Sequence, residues 1–314
     1  MKLFDLHSDT VFQMYKTKDK NFHDNPDLDI DLKKLKAADS LIQCISLFTD
    51  ELDPNTFDEW MNYAGFYQEV MAQYPDDLRM IYTYQDMEDC LKDGKQGIMM
   101  TEEDAYICLG DLDRLNIMYD LGVRMCSICW NEETCFAYPN SRNDKLHHLG
   151  LKPLGREAVK RIEELGMVFD VSHLSRGGTL EALQISKQPV IASHSNARAL
   201  TDHPRNLSDE EIRGIADSGG IIGINLYPGF IDVEKKADLE KTLRHIEYLR
   251  QVGGDGVLAV GTDFDGFTIP HQELKTIADM PLLYEALEKA GYSLGFIEGM
   301  FYKNAMRVFK EVLK

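Results

Sequence analysis

Residues 167–173 read Met-Val-Phe-Asp-Val-Ser-His, and residues 189–194 read Pro-Val-Ile-Ala-Ser-His. Each is a short, mostly apolar run that stops on a histidine, the pattern of a buried strand with a polar end. His173 and His194 are 21 residues apart, about one strand-and-helix unit with short loops. Working outward, the same kind of run recurs at Leu3–His7, Leu41–Leu47, Gly97–Met100, Val123–Cys129, Ile221–Leu226 and Val257–Gly261, which makes eight strand candidates with Met167–His173 and Pro189–His194. Amphipathic segments such as Arg156–Leu165 and Leu239–Gln251 lie between them. Ser208-Asp209-Glu210-Glu211 is a capping box that opens another helix, and Gly219-Gly220 ends it. Eight strands, each followed by a helix, predict an α/β chain folded as a (β/α)8 TIM barrel, with a doubly wound open sheet as the alternative. Pro281–Ala290 and Leu294–Leu313 are expected to be C-terminal closing helices. No internal repeat or low-complexity linker divides residues 1–314, so a single domain is expected. Two long connections stand out, Thr10–Lys36 and the polar stretch Trp130–Leu154, the second of which is expected to cover one barrel mouth.

Composition narrows the function. The chain has 314 residues, 44% of them hydrophobic and 28% charged, which supports a packed core and argues against wholesale disorder. Lys and Arg number 34 against 53 Asp and Glu, a formal net charge of −19. Such a surface repels phosphate backbones and anionic lipid, so neither nucleic acid nor a membrane is expected as a partner. No run of about 18 apolar residues suggests a membrane span, and Met1-Lys2-Leu3-Phe4-Asp5 does not open a secretory signal. Six cysteines are too sparse for a disulfide scaffold, and a reduced, cytoplasmic setting is the expectation.

Polar residues gather where the strand candidates end, and barrel active sites occupy that rim. In Asp5-Leu6-His7-Ser8-Asp9, alternation puts Asp5, His7 and Asp9 on one face. If Phe4 and Leu6 pack on helices, His7 and Asp9 face the mouth, where an imidazole and a carboxylate can grip one divalent ion. His173 and His194 end adjacent strands. In Gly261-Thr262-Asp263-Phe264-Asp265-Gly266, Asp263 shares a face with the small residues Gly261 and Ala259, which leaves room for a ligand. An inward carboxylate there is a ligand or a general base, whereas Asp265-Gly266 is a turn dipeptide. Thr101-Glu102-Glu103-Asp104 follows the third candidate strand, and periodicity alone does not say which glutamate faces inward.

His7, Asp9, a glutamate, His173, His194 and Asp263 form one constellation. Imidazoles and carboxylates without thiolates suit zinc or another first-row divalent metal in a hydrolytic site. Six donors exceed the needs of one four-coordinate ion; two metals bridged by a carboxylate would use them. Other features carry less. Cys126-Ser127-Ile128-Cys129 sits within a strand candidate and is expected to be buried and inert. His147-His148 is expected in solvated loop.

At this point the sequence resembles the membrane dipeptidase (renal dipeptidase) family of zinc peptidases. The matching stretches run from Asp5-Leu6-His7-Ser8-Asp9 to Asn304-Ala305-Met306-Arg307-Val308, through Leu165–His173, Ala192-Ser193-His194-Ser195, Arg205-Asn206-Leu207 and Gly261–Gly266. The resemblance implies a barrel holding two zinc ions, or other divalent metals. His7 and Asp9 match the ligands of one ion, His173 and His194 those of the other, and Glu102 the bridging glutamate. Asp263 matches the catalytic acid/base, and Arg205 an arginine associated with the substrate; Tyr227 is a further candidate substrate contact. The implied reaction is hydrolysis of a dipeptide by a bridging hydroxide, with a D-residue accepted at the C-terminal position. A homodimer is implied in the same way. The alternative is another binuclear hydrolase of the amidohydrolase type, acting on a cyclic amide, lactone or phosphoester.

Two positions depart from the family pattern. Glycines usually follow the bridging glutamate, whereas Glu103 and Asp104 follow Glu102 here. Trp130 stands where mammalian members carry a histidine that binds the tetrahedral intermediate; an indole donates one hydrogen bond but carries no proton. Without a leader or lipid-anchor tail, the chain resembles a soluble bacterial-type relative.

Overall fold

In the computed structural model, which describes residues 1–48 and 57–313, the strands are β1 Leu3–Asp5, β2 Ser40–Phe48, β3 Leu78–Met80, β4 Gln96–Glu103, β5 Val123–Cys126, β6 Val168–Phe169, β7 Ile222–Ile224 and β8 Leu258–Val260. They form one parallel sheet in the order β6-β5-β4-β2-β1-β8-β7, with β3 paired to β4 off that path. The longer helices between them are α1 Thr10–Thr17, α2 Leu32–Ala37, α3 Phe57–Met71, α4 Tyr84–Asp93 and α5 Asp113–Leu121. There follow α6 Asp144–His147, α7 Pro153–Leu165, α8 Arg176–Ile185, α9 Asp209–Asp217, α10 Pro228–Ile231 and α11 Leu239–Gly253. The chain closes with α12 Met280–Lys289, α13 Leu294–Glu298 and α14 Asn304–Val312. The fold is thus α/β, a curled parallel sheet with helices packed against it.

Burial explains why the strands carry little alternation. All nine residues of β2 and all eight of β4 are buried, because side chains of both faces are covered. Ile98 and Met100 of β4 belong to the cluster that includes Trp60 and Tyr63 of α3. Met99 belongs to a second cluster with Phe4, Leu6, Ile42, Cys44, Met125, Ile191 and Ala259, drawn from strands across the sheet. Residues of α14 join that cluster, and the Phe309 ring lies tilted against that of Phe4 with centroids 5.1 Å apart, so the last helix packs against the first strand.

Local signals act where expected. Ser208 and Glu211 cap α9 reciprocally, and Gly166 ends α7 in the left-handed conformation. Two strand expectations change. The stretch 189–194 forms isolated parallel bridges, Asp170 with Ile191 and Ala192 with Ile222, rather than a continuous strand. Its backbone still bonds on both sides, Val171 N to Ile191 O and Ala192 N to Ile221 O, so it runs between β6 and β7. On the β6 side the pairing stops at Ser193, whose N–H donates to the Asp170 carboxylate at 2.9 Å instead of to backbone, while on the β7 side it continues with Ser195 N to Gly223 O. In addition, Leu78–Met80 is a strand beside the start of β4, on the edge that β5 occupies further along. It is three residues long, with two of them half-buried, too short to register as an apolar run.

The long connections are partly helical: α1 and α2 lie within Thr10–Lys36 and the residue beyond it, and α6 lies within Trp130–Leu154. His147 is buried rather than solvated, its Nε2 3.0 Å from Arg198 Nη1. All six cysteines are free, and Cys126 and Cys129 are buried. No helix among the described residues is long and apolar enough to cross a membrane.

His245 of α11 holds the loop that follows His194: its Nδ1 accepts from Ala197 N at 3.2 Å and its Nε2 donates to Ile231 O at 3.1 Å. Burial pushes its pKa down from 6.5 to about 4. The unfolded chain therefore binds a proton that the folded chain refuses, and stability falls as pH drops from 6.5 through about 4. We predict that His245 accounts for about 3 kcal/mol of acid destabilisation. Urea unfolding of wild type and His245→Gln at pH 7 and pH 4 checks this; an unchanged pH dependence in the variant would count against it.

Candidate metal centre

Three imidazoles and three carboxylates meet at the ends of the strands. His7 and Asp9 follow β1, Glu103 ends β4, His173 follows β6, His194 ends the 189–194 stretch and Asp263 follows β8. His7, Asp9 and Glu103 form one group of donor atoms, Glu103, His173 and His194 a second, and His7, His194 and Asp263 a third.

Glu103 is common to the first two groups. Its Oε2 lies 3.4 Å from His7 Nε2, and its Oε1 lies 2.9 Å from His173 Nε2 and 3.4 Å from His194 Nε2. His7 Nε2 is also 3.7 Å from Asp9 Oδ1 and 3.9 Å from Asp263 Oδ1. The rings of His7 and His194 stack with centroids 3.8 Å apart.

The glutamate assignment therefore shifts by one residue. Glu102 points the other way, where its Oε2 accepts from Trp60 Nε1 of α3 at 2.8 Å. Alternation along β4 is the reason: Glu102 sides with Met100 and the α3 cluster, Glu103 with Met99. Burial pushes the Glu102 carboxyl well above the usual range. Asp104 then stands alone as the acid that follows the shared glutamate. Neither glutamate is part of a solvated acid run, because both are buried.

Hydrogen bonds fix how the histidines present themselves. His173 Nδ1 lies 3.1 Å from Asn131 Oδ1, an oxygen that only accepts, so Nδ1 carries the proton. His194 Nδ1 lies 2.7 Å from Ser193 Oγ, whose own proton goes to the Asp170 carboxylate. Both Nε2 atoms then present lone pairs, and they face each other at 3.2 Å. Burial and the Arg205 charge push His173 down to about 4, while burial and the His7 charge push His194 well below 6.5, so neither supplies a proton between them.

The charges are unbalanced as they stand. Burial opposes a charge on His7, yet Glu103, Asp9 and Asp263 raise its pKa to about 10. Burial and Glu103 push Asp9 well above the carboxylate range. Burial likewise raises Asp263 to about 6. His7 Nε2 and Asp9 Oδ1 are buried with no hydrogen-bond partner among the described residues. Orphaned donors, facing lone pairs and repelling carboxylates all fit cations in their midst. Nitrogens about 2.0–2.1 Å from a tetrahedral zinc lie about 3.3 Å apart, close to the separation of the two Nε2 atoms.

Backbone strain concentrates here. His173, Asp263, Asp265 and Asp104 have φ of 72°, 64°, 65° and 85°, a region that costs a non-glycine residue about 1 kcal/mol or more. Asp263 is steadied by Asn225 Nδ2, which donates to its Oδ2 at 2.9 Å. Asp265 turns the chain and is also buried, accepting from Thr10 Oγ1 at 2.6 Å and from Asp29 N at 2.7 Å. Gly266 lies so close to the donors that a Cβ there would come within 2.3 Å of Asp9 Oδ2 and 2.8 Å of Asp263 Oδ1.

A cavity of about 440 Å³ opens over these groups, within the range of small-molecule sites. Arg205, Trp130 and Tyr227 all line it. Arg205 is buried, donating to Ser195 Oγ and to His194 O at 3.2 Å each; its Nε has no partner, and it makes no ion pair among the described residues. Trp130 packs edge-on against Phe48 at 4.6 Å, with His173 6.0 Å away. Tyr227 packs between Phe230 and Phe267. Sequence reading missed Asn131, Asn225 and the Asp170–Ser193 pair as orienting groups, although the Asp170 and Ser193 stretches were themselves conspicuous.

A family model for membrane dipeptidase (peptidase family M19) matches residues 1–314. An uncharacterized protein in the pqqA 5′ region of Klebsiella pneumoniae is 32% identical over 263 residues, which cover 81% of this chain and 95% of that protein. The dipeptidase tcpJ of Claviceps purpurea is 29% identical over 266 residues, 84% of this chain and 62% of that longer protein. Among solved structures, a metallo peptidase from Rhodobacter sphaeroides liganded with a phosphinate mimic of L-Ala-D-Ala superposes with a TM-score of 0.89, covering 99% of each chain. At 22% identity that likeness is one of fold.

The two glutamates separate the geometry from its neighbour. Glu103→Gln removes the shared carboxylate and is predicted to lower divalent-metal affinity at least about 100-fold. Glu102→Gln keeps an acceptor for Trp60 and is predicted to retain the wild-type metal content. Elemental analysis after dialysis against limiting zinc reads both; equal loss in the two variants would contradict the assignment.

Proposed function

Because the chain belongs to the membrane dipeptidase family, peptidase family M19, we propose that it is a metal-dependent dipeptidase with a binuclear site. The observation that carries this reading is the single carboxylate of Glu103 facing His7 on one side and His173 and His194 on the other. We assign His7 and Asp9 to one ion, His173 and His194 to the other, and Glu103 to both, with zinc as the metal the donor set favours. In this reading the 189–194 stretch completes a (β/α)8 barrel as its missing stave.

Two divalent ions held there would lower the pKa of water and polarise a peptide carbonyl. The residues supply the rest. Asp263, a half-buried carboxylate facing His7, is placed to accept the proton of the attacking water and return it to the leaving amine. Asn225 aims its carboxylate, leaving Oδ1 toward His7. Arg205, buried and without an anionic partner, fits the C-terminal carboxylate of the substrate. That pairing selects short peptides, because a longer chain carries its carboxylate elsewhere. Tyr227 walls the same side of the cavity. Trp130 is an apolar wall beside His173 and gives this position no group that carries a proton, so bound ions would have to supply the electrophilic stabilisation that a histidine here would share. The mimic bound to the Rhodobacter protein supports acceptance of a D-residue at the C-terminal position.

The test is hydrolysis of an L,L and L,D dipeptide panel by zinc-loaded protein, beside cyclic amides, lactones and phosphoesters. Dipeptide cleavage is expected to vanish on chelation and return with zinc. Asp263→Asn is expected to lower kcat about 100- to 10,000-fold, and Arg205→Met to raise KM at least about tenfold with a smaller change in kcat. Cleavage that survives chelation, or that is confined to the other substrate classes, overturns the reading.

A further inference from the structure

A second, smaller cavity of about 240 Å³ adjoins the first. The two share His203 and Tyr227 as walls. Gly229 allows the partition to lie flat: a Cβ there would meet the Tyr227 ring at 2.6 Å. Beyond the partition the cavity is lined by Arg142 and Lys235, neither of which makes an ion pair among the described residues. Asp202 is the one acid on its walls, and Arg198 already holds it at 3.0 Å. Both cations are exposed, so they face solvent as well as the cavity, and they give it a positive lining in a chain of net charge −19.

His203 shows that the positive field reaches the partition. Burial, then the guanidinium groups of Arg142, Arg205 and Arg198, push its pKa down to about 4. Its Nδ1 accepts from Arg205 N at 3.2 Å, so the neutral ring carries its proton on Nε2 and can donate from there. One histidine thus stands between the cation of the main cavity and those of the small one.

We propose that this small cavity is an anion subsite that receives the side-chain carboxylate of a C-terminal acidic residue, making dipeptides ending in Asp or Glu the preferred substrates. The inference rests on the dipeptidase reading for the seat of the substrate's main-chain carboxylate at Arg205. The side chain of that residue branches from the carbon that bears the carboxylate, so a carboxylate seated at Arg205 brings it into the part of the main cavity that His203 and Tyr227 wall. Arg142 and Lys235 supply charge and His203 a neutral donor, a combination that favours a carboxylate over an amide of the same shape.

The experiment uses zinc-loaded protein and two readouts. In the first, kcat/KM is compared for Ala-Asp against Ala-Asn and Ala-Glu against Ala-Gln, with L- and D-residues at the second position. Wild type is expected to favour the acid at least about tenfold, mainly through KM, and Arg142→Met/Lys235→Met is expected to bring the ratio near one. In the second, calorimetry compares binding of free aspartate and asparagine, with the same ratios expected. Equal binding and turnover of acid and amide overturn the proposal, as does a preference that survives in the double variant. Turnover of Ala-Ala-Ala that depends on Arg142 while acid and amide dipeptides are equal assigns the cavity to the terminal carboxylate of a longer peptide and also overturns it. If no dipeptide is cleaved but aspartate binds tighter than asparagine in an Arg142- and Lys235-dependent way, the subsite stands and the dipeptidase reading falls.

Discussion

One buried carboxylate organises this molecule. Glu103 faces three imidazoles brought from widely separated parts of the chain, and its position is set by the alternation of a strand covered on both sides. Taking that many ionisable groups out of water is costly unless opposite charge accompanies them. Burial opposes the charge on Glu103, yet the His7 charge holds its pKa well below the usual carboxylate value, while Asp9 beside it is driven up. The left-handed backbone at His173 and Asp263, the orienting bonds from Asn131, Ser193 and Asn225, and the bare Gly266 all serve to hold donors at separations that would otherwise relax.

Much of this was legible in the sequence, for identifiable reasons. His7, His173, His194 and Asp263 each follow a strand run, and a strand's end fixes where its last side chain goes. Glu102 and Glu103 could not be sorted in the same way. Hydropathy distinguishes faces only when one face meets water, and both faces of β4 are buried. What separates them is Trp60, a partner more than forty positions away in sequence, whose indole takes Glu102. The resemblance to a family matched Glu102, whereas Glu103 is the one of the two adjacent glutamates whose carboxylate faces the imidazoles.

Other features were hidden for different reasons. The 189–194 stretch has the composition of a strand, but a side chain from Asp170 intercepts its backbone. Leu78–Met80 has too few apolar residues to stand out. His147 lies in a polar stretch and gives no hint that Arg198 and the loop bury it. Arg142 and Lys235 are ordinary surface types; only the cavity that joins them gives them meaning.

The pairing of the first strand with the last has a consequence during synthesis. Asp5 of β1 accepts from the backbone and hydroxyl of Thr262, 257 positions later, and Phe4 awaits Phe309. Until residues 258–262 have left the ribosome, β1 has one open edge and Asp5 has the Gln43 amide of β2 but not Thr262 to offset its burial. The strand that leads into His7 and Asp9 is therefore made before the other seven and is among the last completed. Its early contacts are limited to β2, and the nascent chain must keep an unpaired edge from finding a neighbour in the meantime.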